Sequence, residues 1–89
     1  MKNRIIRQGN HLYILATWVE VADYDGERYC YEWWHQYDGK TGKFLRYVFI
    51  AAKEEGDTPE NVPWDFSTPD LQRAEAWYHG EQYKVGENR

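Results

Sequence analysis

The sequence predicts an α+β fold: an antiparallel meander of three to four strands, a long acidic loop, and one C-terminal helix packed on the sheet. Three observations lead there. Residues 1–53 contain runs dense in β-branched and aromatic residues, separated by Asp-Gly and other glycine-bearing turns. From Glu54 the composition shifts to proline and acid. Beyond that loop, apolar residues recur at helical spacing. With 89 residues the chain is read as one domain, 1–89, without room for a second core.

The stretch 3–8 (NRIIRQ), followed by Gly9-Asn10, reads as a strand that enters the sheet through a tight turn. HLYILATWVEVAD (11–23) lacks Gly and Pro and suits a pleated surface. It ends at Tyr24-Asp25-Gly26-Glu27, and Asp-Gly between two such runs signals a hairpin. RYCYEWWHQY (28–37) is its partner strand. DGKTGK (38–43) closes a second hairpin, with glycine where left-handed backbone is easiest, and FLRYVFIAAK (44–53) follows as the next strand. The loop spans 54–68. From Glu54 to Asp70 there are three prolines, six acids and no basic residue, and Trp64 and Phe66 are expected to pin its middle to the body. A helix over about 69–79 follows, capped by Ser67 or Thr68, with Pro69 and Asp70 suited to its first turn. Leu71, Ala74, Trp77 and Tyr78 share one face, and Gly80 is the expected stop. The remainder, 80–89, reads as a short edge strand or a frayed tail.

Side-chain alternation turns these elements into two sheet faces. If Tyr24 pairs with Glu27 and Asp38 with Lys43, one face collects Ile14, Ala16, Trp18, Tyr31, Trp33, His35, Tyr37, Phe44, Val48 and Ile50. The other collects Tyr13, Leu15, Val19, Val21, Cys30, Trp34, Leu45, Tyr47 and Phe49. Both are largely apolar, whereas a sheet with one wet face alternates clearly. One short helix covers one face, so the other is expected to meet the loop, a second copy, another protein or a flat ligand.

Composition narrows the chemistry. Leu, Ile, Val and Phe number only 16, but thirteen Trp and Tyr residues supply the missing apolar area. Net charge is -4 and the pI about 5.3, which leaves no basic surplus for a polyanion. Residues 1–53 carry 8 basic and 6 acidic side chains, and residues 54–89 carry 3 and 9, so the acid sits in the second half. Direct nucleic-acid binding is not expected. Cys30 is the only cysteine and excludes an internal disulfide. The longest apolar run is too short to span a membrane, and the start of the chain lacks a signal-like apolar core, so a cytoplasmic location is expected.

Catalytic motifs are missing. His11, His35 and His79 have no second ligand at a metal-binding spacing, so neither a metal nor another cofactor is expected. Cys30 and His35 of one strand point to opposite faces, which removes a nucleophile–base pair. Glu20 and Glu32 lie in apolar strands, where a structural pair with Arg28 or Arg46 explains them. DGKTGK departs from phosphate-loop spacing and precedes a strand. The chain is therefore not read as an enzyme.

What remains is binding. Small size, acidity and excess aromatics suit a protein that binds another protein, as an inhibitor or immunity-type blocker of a basic or nucleic-acid-handling target. Phage-type anti-defence inhibitors, anti-CRISPR proteins included, share this bulk character, with no motif in common. The residues that would carry it are Glu54, Glu55, Asp57, Trp64, Asp65 and Phe66: apolar anchors within an acidic rim. The competing readings are a small-ligand module and a structural homodimer. In the first, Tyr29, Tyr31, Trp33, His35 and Tyr37 stack a sugar or base. In the second, two chains join through an apolar sheet face.

Overall fold

A computed structural model describes residues 5–22 and 24–87. Residues 3 and 4 of the expected first strand, residue 23 of the next, and residues 88 and 89 lie outside that range. Five strands form one antiparallel sheet in the order of the chain. They are β1 (Ile5–Gln8), β2 (His11–Ala22), β3 (Arg28–Asp38), β4 (Phe44–Ala52) and β5 (Phe66–Thr68). A helix, α1 (Leu71–Glu87), packs on one face. The α+β meander is thus present, with one strand more than expected.

The turns follow from local chemistry. Between β1 and β2 only Gly9 has positive φ (59°), the pattern of a type II′ hairpin turn. Between β3 and β4, Asp38 Oδ1 accepts the backbone N–H groups of Lys40 and Thr41 at 2.7 and 3.0 Å. Gly42 (φ 74°) donates its N–H to the Asp38 carbonyl at 2.9 Å and closes the loop. The two turns also dock on each other, since the Gly39 N–H donates to the Asn10 carbonyl at 2.6 Å. A Cβ on Gly39 would meet Asn10 backbone atoms at 3.0 Å, so only glycine permits that approach.

The register differs from expectation in both hairpins. The first ladder ends at Ala22↔Arg28, not at Tyr24–Glu27, and Ala16 stands as an extra residue between Leu15↔Trp34 and Thr17↔Trp33. In the second, Leu45 is the extra residue between Tyr37↔Phe44 and Gln36↔Arg46. A one-residue slip exchanges the two faces of a strand. Val19 and Val21 consequently join Tyr31, Tyr47 and Phe49 on one face, while Trp18, Val48 and Ile50 join Cys30 and Trp34 on the other.

The helix face buries Val21, Tyr31, Phe49, Ala74 and Tyr78. Tyr31, Phe49 and Tyr78 form a triangle of rings, with centroid distances of 6.2 Å (Tyr31–Phe49), 6.3 Å (Tyr31–Tyr78) and 6.2 Å (Phe49–Tyr78). Three helix expectations need correction. The N-cap is Asp70, whose Oδ1 accepts the Gln72 N–H at 2.9 Å, while the Thr68 hydroxyl accepts the N–H of Asp70 itself. Leu71 stays 49% exposed, and among the described side chains Ala74, Trp77 and Tyr78 form the packing stripe. The helix also runs through Gly80 to Glu87, where a stop and a tail were expected; Gly80 lacks the positive φ of a helix-ending glycine, and a glycine inside a helix costs only about 1 kcal/mol.

The opposite face buries Tyr13, Leu15, Trp34, Val48, Ile50 and Ala52. Its middle is covered by the chain's own loop, through Val62 and Trp64. The loop, one of the occupants expected for this face, is thus present on it. Expected loop residues 66–68 instead form β5, which pairs with Tyr47–Phe49 of β4.

Candidate functional site

The loop from Lys53 to Asp65 is built from its own hydrogen bonds. Asp57 Oδ2 accepts the backbone N–H groups of Lys53 and Glu54 at 3.0 and 3.1 Å. Asn61 Oδ1 accepts the Thr58 N–H at 2.8 Å, and its amide nitrogen donates to the Gly56 carbonyl at 2.9 Å. The Trp64 indole Nε1–H donates to the carbonyl of buried Pro59 at 2.8 Å. Such Asx-type bonds hold backbone in a turn without help from a sheet. Glu54, Glu55, Glu60 and Asp65 are exposed on this frame.

The six residues expected to dock a partner do not form one patch. Glu54, Glu55 and Asp65 are exposed, while Asp57 is half-buried and organises the turn. Trp64 packs on the loop-covered face. Phe66 packs on the helix face, stacked on Trp77 at 4.4 Å and 19°. The two rings thus pin the segment, as expected, but from opposite sides of the sheet.

Tyr29, Tyr31, Trp33, His35 and Tyr37 do lie in one row on the helix face. They do not present an open stacking platform, because Tyr31 is buried beneath the helix and the other four are half-buried. The Trp77 indole N–H donates to the Tyr31 hydroxyl. Trp33 meets Tyr47 edge-on at 5.7 Å and Tyr78 at 5.4 Å, and its indole nitrogen is buried with no partner among the described residues. His35 meets Tyr47 at 5.0 Å and Phe44 at 6.1 Å, and burial among these rings lowers its pKa below 6.5. On the other face, Tyr13 accepts a hydrogen bond from Gln36 Nε2 at 2.9 Å. Its hydroxyl is pushed up to about 12, by burial first and then by its hydrogen bond with the Glu60 carboxylate.

Sequence reasoning missed an open cavity of about 480 Å³ beside the first hairpin. Leu15, Cys30 and Ala52 supply apolar lining, Trp18 and Glu32 add an indole and a carboxylate, and Glu54 and Glu55 belong to its loop side. Its lining is drawn from β2, β3, β4 and the loop, and no run of sequence signals that convergence. Glu20 pairs with Arg28 here, whereas Glu32 accepts the Trp34 indole N–H at 2.9 Å. Cys30 and His35 face opposite sides of the sheet, as the strand parity requires. Among the described residues, no three His, Cys, Asp or Glu side chains group to hold a metal, and no helix is long and apolar enough to cross a membrane.

Compared with protein-family models, curated proteins and solved structures, the chain gives no match.

Proposed function

We propose that this chain acts by binding another protein through the acidic loop, as an inhibitor or immunity-type blocker of a basic target such as a nucleic-acid-handling protein. The observation that supports this reading is the loop's internal hydrogen bonding. An acidic segment held by Asp57, Asn61 and the Trp64–Pro59 bond presents Glu54, Glu55 and Asp65 in fixed positions. Charges carried on a fixed backbone steer a basic partner and lose little backbone entropy on docking. Trp64 and Phe66 serve the reading as internal anchors of the loop, not as contacts. Anti-defence inhibitors of the anti-CRISPR kind are one class of protein with this bulk character.

A tagged pull-down from lysate, repeated after nuclease treatment, tests the reading alongside a Glu54→Lys/Glu55→Lys/Asp65→Lys variant. Support is a stoichiometric protein partner that survives nuclease and is lost on charge reversal, with the far-UV spectrum unchanged. Recovery of the bait alone, or a partner indifferent to charge reversal, overturns it.

A further inference from the structure

We propose that the cavity beside the first hairpin binds an organic ammonium group carried on an apolar body, an inference that goes beyond the acidic-loop reading and stands without it. Its volume of about 480 Å³ falls in the range of roughly 300–1,000 Å³ typical of small-molecule sites. Leu15, Cys30 and Ala52 give it an apolar lining for a hydrocarbon or aryl body.

The charge preference comes from Trp18 and Glu32. They are direct cross-strand partners, which places their Cβ atoms about 5 Å apart on one face. The extra residue Ala16 creates this pair, since the unbulged register puts Trp18 on the other side of the sheet. Trp18 is 51% exposed and Glu32 only 2% exposed. The Trp34 indole N–H holds one Glu32 oxygen and so orients the carboxylate. An aromatic face attracts a cation, and a carboxylate in a low-dielectric setting attracts it more strongly. Four carboxylates and two cationic side chains line the cavity, and one of those cations, Arg28, is already paired with Glu20. A neutral or anionic ligand of the same shape gains neither interaction.

The test is an NMR titration of the full chain that follows the Trp18 indole and Cys30 amide signals. The probes are phenylpropylammonium, the neutral alcohol phenylpropanol, and Nα-acetyl-lysine methylamide. Phenylpropylammonium should shift both signals saturably and bind about tenfold tighter than the alcohol. Glu32→Gln should remove most of that preference while leaving the alcohol's affinity unchanged. Glu54→Gln/Glu55→Gln, confined to exposed residues, should weaken the ammonium about threefold and keeps the test open if Glu32→Gln does not fold. Comparable saturation by the lysine derivative assigns the ammonium to a protein side chain, and a clear preference for the aryl amine assigns it to a free small molecule. Equal affinity for ammonium and alcohol, shifts confined to other signals, or no shift up to about 10 mM probe overturns the proposal.

Discussion

Truncation of Trp64 tests whether the acidic loop is a built element. The half-buried indole packs against the cluster of Tyr13, Leu15, Trp34, Val48, Ile50 and Ala52, and its N–H bonds the Pro59 carbonyl at 2.8 Å. Half of a tryptophan's burial is about 100 Å², which at about 25 cal/mol/Å² gives about 2.5 kcal/mol. The hydrogen bond adds about 1 kcal/mol, and its loss leaves the carbonyl of buried Pro59 without that donor. Trp64→Ala should therefore cost about 3.5 kcal/mol, and Trp64→Phe, which keeps most of the packing, about 1 kcal/mol. In a domain this size the first corresponds to a fall in Tm of roughly 14–28 °C. Urea unfolding followed by far-UV circular dichroism measures both variants on one scale. A loss under about 0.5 kcal/mol for Trp64→Ala would show that the ring anchors nothing. The fixed presentation of Glu54, Glu55 and Asp65 would then fail as an argument.

Three further outcomes follow from the geometry. Gly39→Ala should destabilise by about 1–3 kcal/mol in urea unfolding, because its Cβ meets Asn10 backbone at 3.0 Å; Gly56→Ala, which meets nothing within 4 Å, should be neutral. Asp70→Ala should cost about 1 kcal/mol through loss of the cap, and Asp70→Ser should recover most of it. The His35 pKa is depressed by burial, so the folded state binds its proton less readily than the unfolded chain. Stability from this group is present above pH 6.5 and is lost as pH falls through that value toward the folded one. Urea midpoints at about pH 7.5 and pH 5.5 should therefore differ less in His35→Phe than in the parent chain.

What could be read from the sequence was what neighbouring residues decide. Asp38 with Gly42, Gly9, and the change of composition at Glu54 are local signals, and those two turns, the inner strands and the start of the loop fell where those signals put them. The face assignments depended on Ala16 and Leu45. Neither carries a glycine or turn signal, and a slip there is decided by which whole set of side chains each face can bury. β5 was hidden for a similar reason, since Phe66–Thr68 lies between Pro63 and Pro69 and becomes a strand only because β4 is there to pair with it. The acids of the candidate site were visible as composition. The Trp18–Glu32 pair was not, because its existence depends on the parity that Ala16 resets.

The bulge at Ala16 has a consequence for how copies of the chain meet in concentrated solution. Among the described residues β1 pairs with His11–Ile14, and no described strand borders the outer side of β2 from Leu15 to Ala22. A bare length of strand edge invites another molecule to add its own strand, the first step towards aggregation. Here the edge is broken near its start by the unpaired residue, which bends and twists the strand. Farther along, exposed Glu20 and its ion pair with Arg28 place charge beside the edge. Intermolecular strand pairing along β2 is thereby opposed by both shape and charge.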